Sequence, residues 1–157
     1  MRPRLKQAIR SALAALVVSF VTVSAAHAQV LVSAERDLEF GLLTPGTVTT
    51  VAPADLTRSA QLRIEGRGTY QVSFQLPSSL VSLDGHQLPV LFAPTAGQLT
   101  IRHKVTQFDP ATTVSFRINP AEQEALINIG GQAQPAPGQP AGAYTATIVM
   151  MVVQTGT

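Results

Sequence analysis

Few residues of this chain could do chemistry, and their spacing decides against most of it. His103 falls on the apolar side of the alternating run Leu99, Ile101, His103, Val105, where a metal ligand or a general base could sit. A zinc site needs further histidine or cysteine ligands. The chain has no cysteine, and past residue 28 only His86 remains as a second histidine. His103 therefore reads as a structural histidine hydrogen-bonded near a sheet end. Glu35, Asp37 and Glu39 occupy alternate positions and share one face of a strand. Such a row could bind calcium or divide the work of acid and base. Either role needs oxygens converging from elsewhere, or surroundings that separate the pKa values. The three read as a solvated strand face, and Glu122 and Glu124, beside Asn119-Pro120, as the surface of a turn.

No nucleophile is set up for attack. Ser59, Ser73, Ser78, Ser79, Ser82 and Ser115 stand outside any G-x-S-x-G elbow or S-x-x-K motif. Gly66-Arg67-Gly68 lacks the helix that would receive a phosphate, and reads as a turn. Arg63, Arg67, Arg102 and Lys104 have no interleaved aromatic side chains on which bases would stack, so they form an ordinary soluble surface. The expectation is a protein that is not an enzyme and needs no metal or cofactor.

The start of the chain carries a secretory pattern. Arg2, Arg4, Lys6 and Arg10 precede a short apolar core from Ala12 to Val23, and Ala26-His27-Ala28 offers small residues at a cleavage site. The apolar segment is short for a bilayer span and is interrupted by Ser19, Thr22 and Ser24. Residues 1–28 are thus expected to be removed, leaving residues 29–157 as one domain with no transmembrane segment. That domain holds Arg36, Arg58, Arg63, Arg67, Arg102, Lys104 and Arg117 against nine acids, a net charge of −2. The basic balance of the whole chain belongs to the leader, and nothing points to nucleic acid. Without cysteine, stability rests on packing and the hydrogen-bond ladder.

Period-two alternation runs through the rest. Val30 to Phe40 predicts a long first strand, bulged near Arg36-Asp37, and Thr47 to Val51 a short one. Ala60 to Glu65 and Tyr70 to Leu76, joined by Gly66-Arg67-Gly68, predict a hairpin. A second hairpin is expected around Asp84-Gly85, with Pro89 pushing its second arm to a sheet edge. Strands follow over Leu99–Val105 and Val114–Ile118, then a helical turn at Ala121–Ala125 and a short apolar strand over Leu126–Ile129. Gln132 to Gly142 is too rich in proline to pair. Eight or nine short strands with frequent turns indicate an all-β, antiparallel sandwich. Few aromatics and no terminal aromatic residue argue against an outer-membrane barrel.

The last stretch, Ala143 to Gln154, breaks the alternation. Ile148, Val149, Met150, Met151, Val152 and Val153 are apolar on both faces, which a half-exposed strand should not be. Something is expected to cover both sides: either an earlier strand on each edge, or a strand from outside the subunit. These six residues are the candidate strand-complementation or interface face.

Asp37-Leu38-Glu39-Phe40-Gly41 with Pro45-Gly46, then Ile129-Gly130-Gly131, then Pro140-Ala141-Gly142-Ala143-Tyr144-Thr145-Ala146-Thr147 resemble the signature of the bacterial family named domain of unknown function 4402. In pattern that family is similar to the spore coat protein U domain and to subunits of archaic chaperone-usher pili. The resemblance implies an incomplete, immunoglobulin-like, pilin-like sandwich in which a neighbour's N-terminal extension supplies the missing strand. It implies a structural subunit of a surface fibre or pilus in the periplasm or on the cell surface of a Gram-negative bacterium. Its partners would be other fibre subunits and a periplasmic chaperone. Only Gln29 to Ala34 precede the Asp37-Leu38-Glu39-Phe40-Gly41 segment, short for the roughly ten residues that a donor strand needs. A subunit that accepts a strand without donating one, or a self-complete one, fits that length. The alternative function is a self-contained extracytoplasmic binding module for a glycan or protein, using the loops Leu83 to Pro94 or Gln132 to Gly142.

Overall fold

The computed structural model describes residues 30–156. The expected signal peptide, residues 1–28, lies outside them. The strands are β1 (Leu31–Arg36), β2 (Thr49–Val51), β3 (Ala60–Glu65), β4 (Gly68–Gln75), β5 (Ser79–Ser82), β6 (Gln87–Leu91), β7 (Gly97–Ile101), β8 (Lys104–Phe108), β9 (Val114–Ile118), β10 (Glu124–Ile129), β11 (Gly131–Ala133), β12 (Tyr144–Thr145) and β13 (Val149–Gly156). All pairings are antiparallel. Sheet I has the order β1-β3-β10-β7-β8, sheet II β12-β5-β6-β11-β2, and sheet III β13-β4-β9. The fold is an all-β antiparallel sandwich.

Sheets I and III face each other across the main core. Ile64 of β3, Tyr70 and Val72 of β4, Ile118 of β9, and Ala125, Ile127 and Ile129 of β10 meet there, all essentially without exposure. Fully burying one such aliphatic side chain contributes about 1.5–3 kcal/mol, which is how a chain without disulfides closes its centre. Beside it, Phe40, Val51, Leu88, Val90 and Ala133 form a second cluster over sheet II. Leu38 and Phe92 pack against both clusters and join them.

The strands of the expected 60–76 hairpin form where the alternation puts them, but they do not pair. β3 bonds to β1 and β10, and β4 to β13 and β9. The connection is an arch from one sheet to the other. Gly66 and Gly68 take φ of +124° and +142°, values L side chains rarely adopt. The Gly66 N–H donates to the Gln123 carbonyl on a neighbouring loop, turning the chain out of the sheet plane. Each strand buries one face, so both satisfy their apolar side by facing each other rather than lying edge to edge.

Other departures are local. β1 stops at Arg36, with a bulge between Ala34 and Arg36, and Asp37 to Phe40 continues unpaired except for the Glu39 N–H donating to the Arg58 carbonyl. The β5–β6 hairpin forms, but β6 lies inside sheet II, between β5 and β11. Pro89 is tolerated there because its carbonyl accepts from Gln134 just past the end of β11, so the donor it lacks is missed only where the ladder stops. In place of the expected helical turn over 121–125, a tight turn closed by the Glu122 N–H donating to the Asn119 carbonyl and by Gln123 at φ +64° leads into β10, which already begins at Glu124. Gln132 and Ala133, expected to be unpaired, form β11 with Gly131, and the prolines act only beyond them.

β10 runs through Gly130 into β11 and so carries the chain from sheet I to sheet II. A Cβ at Gly130 would collide with the Val51 carbonyl and lie 2.7 Å from the Pro53 nitrogen. Both obstacles are backbone and cannot swing aside. Gly130→Ala is expected to lower stability by about 1–3 kcal/mol, measured as a fall in the urea midpoint with an unchanged m-value.

Candidate functional site

The sequence candidates for chemistry scatter. His103 lies in the Arg102-His103 turn between β7 and β8, exposed, not on a strand's apolar face. Arg102 at φ +55° closes that turn, where the chain reverses direction, so the alternation that runs on through His103 no longer says which face it takes. The β1 bulge divides the carboxylate row. Glu35 accepts from the Ser33 hydroxyl and from Arg63 Nε at 3.1 Å, while Asp37 and Glu39 line a cavity on the other side of the bulge. The Ser33 hydroxyl first, then Arg63, hold the Glu35 carboxyl below its ordinary range. Arg63 is pinned between Glu35 and Glu124, and the nearby negative charge of Glu124 is the main cause raising its already high pKa. These are exposed sheet-surface ion pairs, worth little to stability. Among the described residues no group of three metal-ligating side chains converges.

The two loops suggested for binding do meet. The Gln134 N–H donates to the Pro89 carbonyl at 2.9 Å, and Gln139 Nε2 donates to the Gln87 carbonyl at 3.2 Å and to the Tyr144 hydroxyl at 2.7 Å. The Tyr144 hydroxyl in turn donates to the Pro140 carbonyl. These bonds fasten the proline-rich loop across the end of sheet II, where Gln139 to Tyr144 line the same cavity as Arg36, Asp37 and Glu39.

The apolar end stretch is where geometry concentrates. It is two strands, not one: β12 pairs with β5 in sheet II, and after Ala146 to Ile148 the chain enters sheet III as β13. β13 pairs with β4 over its whole length, Val149 opposite Gln75 through Gly156 opposite Thr69, and its other edge has no neighbour among the described residues. Met150 and Val152, with Ile148 just before them, point inward against the main core but are only half-buried. Val149, Met151 and Val153 point outward and are 49%, 60% and 47% exposed. Among the described residues no earlier strand flanks β13 on both edges: the outer face is open and the inner face is only partly filled.

Beside that inner face lies a cavity of about 1030 Å³. Ala60, Leu62 and Ile129 of sheet I form one wall, Leu80, Leu88 and Val90 of sheet II another, and Ile148 and Met150 the side toward sheet III. Leu38 and Phe40, from the unpaired segment after β1, reach into it. The cavity thus lies at the margin of the sandwich where β1 ends and β13 begins, with Gln139 to Thr147 along one side and Arg36, Asp37 and Glu39 in its lining. A mostly apolar gap beside a row of unpaired backbone donors and acceptors can take an extended chain, which satisfies both at once.

The other sheet edges are blunted. β1 is bulged and carries Glu35 and Arg36, β8 carries Lys104, β9 carries Arg117, and β2 and β12 have only three and two residues. β13 has eight residues with no charge and no proline, and its register is regular to Gln154. Natural sheets avoid leaving such an edge bare. Nothing in a 157-residue reading of alternation could show which edge stays free, because pairing partners lie far apart in sequence.

The orientation of β13 yields a contrast. Val152→Asp, on the inward face, is expected to cost several kcal/mol, whereas Met151→Asp, on the open face, shifts stability by less than about 1 kcal/mol. Urea unfolding of the two variants beside the parent measures both; equal losses would show that the outer face is covered after all.

Residues 30–153 match the family described as Domain of unknown function (DUF4402), and the chain belongs to that family. No curated protein matches the chain. Among solved structures, a chain from a chaperone–tip adhesin complex of CFA/I fimbriae biogenesis is similar over 82% of this chain and 41% of its own length, at 14% identity and a TM-score of 0.47. This chain thus spans less than half of that one. No helix among the described residues is long and apolar enough to cross a membrane.

Proposed function

We propose that this protein is a secreted structural subunit of a bacterial surface fibre that assembles by β-strand complementation, accepting a strand from another subunit along β13. The observation that carries this reading is the eight-residue, uncharged edge of β13, unpaired among the described residues, which begins beside a mostly apolar cavity of about 1030 Å³. A strand laid on that edge would bond to the unpaired groups of β13 and place alternate side chains between the sheets, where Ile148, Met150 and Val152 are only half-buried. The resemblance in pattern between this family and archaic chaperone-usher subunits supports the same reading, with other fibre subunits and a periplasmic chaperone as partners. Leu31 to Arg36 already pair with β3, which favours a subunit that accepts a strand over one that donates its own first strand. Neither a nucleophile nor a metal cluster among the described residues favours an enzyme.

The test is the processed chain, residues 29–157, purified alone. It is expected to oligomerise or to unfold at low temperature, and to become a sharply unfolding monomeric complex when a periplasmic chaperone or an apolar β-strand peptide is supplied. Size-exclusion chromatography and thermal unfolding read both. A stable monomer with one cooperative transition, unchanged by any added strand, would overturn the proposal and leave the self-contained binding module.

A further inference from the structure

An added strand has two faces, and the cavity accounts for only one. Side chains that point inward fill the gap between the sheets. Those that point outward fall beside Val149, Met151 and Val153, because directly opposed residues of neighbouring strands stand about 4.5–5.5 Å apart at Cβ. That outward stripe is half-exposed and continuous along the strand. Its neighbours on β4 are Gln75, Ser73 and Gln71, all uncharged, and the strand beyond presents Ser115 opposite Gln71. None of these side chains opposite the stripe is a carboxylate or cation; Glu35 and Arg36 stand across the gap, on β1.

We infer that the outward stripe Val149–Met151–Val153 is a specificity surface, and that the strand β13 accepts is apolar on both faces over about five residues rather than apolar only on the face entering the cavity. The inference rests on the strand-accepting reading of β13 and adds the chemistry of its partner. Three half-exposed side chains fall far short of the roughly 800 Å² per partner that a stable face-to-face association buries. The occupant that fits is therefore a single strand at the edge and not a second globular surface laid flat on sheet III. Each apolar cross-strand pair with the stripe adds to binding, and a polar or charged residue there gains no partner on β13.

The experiment uses two ten-residue peptides, each with a lysine at both ends for solubility. One has valine at alternate positions with isoleucine between; the other has valine with serine between. Titrated against the processed chain and followed by fluorescence anisotropy, the first is expected to bind about tenfold tighter, the effect of three cross-strand pairs. In a variant carrying Val149→Ser, Met151→Ser and Val153→Ser together, the two peptides are expected to bind alike, because these side chains are exposed and their loss leaves the core intact. Equal binding of both peptides to the parent chain would overturn the specificity claim while leaving strand acceptance standing. A preference that survives in the variant would also overturn it, since the stripe would not be its source. Binding of neither peptide would sink strand acceptance and the specificity claim together.

Discussion

β13 is an edge strand, hydrogen-bonded on a single side, and unlike the other sheet edges it is long, uncharged and apolar on both faces over its first half. A β-strand carries a donor and an acceptor at every residue, and those facing away from its one neighbour must find water or another chain. On β13 they do so along eight residues that hold no charge and no proline. The opposite margin of the same gap is β1, which is shortened by a bulge and edged with Glu35 and Arg36. The sandwich is therefore closed at its centre and open at one margin.

The centre accounts for the fold. Ile64, Tyr70, Val72, Ile118, Ile127 and Ile129 are fully enclosed between sheets I and III, and the Tyr70 and Phe116 rings pack with centroids 5.9 Å apart. The Tyr70 hydroxyl stays at the rim, where it donates to the Arg67 carbonyl of the arch. Toward β13 the packing thins: Met150 and Val152 touch the same core but keep part of their surface exposed. Buried apolar area is what offsets the conformational entropy of an ordered chain, so a margin left half-filled is the least stable part of the structure and the part most improved by a partner.

Local pattern made most strands legible in the sequence. Period-two alternation located β3, β4 and β9 nearly to the residue, and the Asp84-Gly85 turn located the β5–β6 hairpin. It could not say which strands pair. Gly66-Arg67-Gly68 has the length of a hairpin turn and of an arch alike, and only the positive φ of its two glycines and the burial of both Ile64 and Tyr70 separate the two. His103 was misplaced because two residues spent on a turn preserve the look of alternation while changing its meaning. At the end of the chain, six consecutive apolar residues signalled a strand with two apolar faces, and that composition is real. What the residues could not reveal is which edge stays unpaired: among the described residues nothing covers Val149, Met151 and Val153, which face solvent.

Amide hydrogen exchange along β13 tests this account most directly. In an antiparallel pair, successive residues direct their N–H groups alternately toward and away from the neighbour. In the isolated processed chain, every second amide from Val149 to Thr155 should exchange at the rate of a solvent-exposed group, and those same amides should become protected when a strand is bound. Uniform protection of all of them in the isolated monomer would contradict it, because the edge would then already be paired.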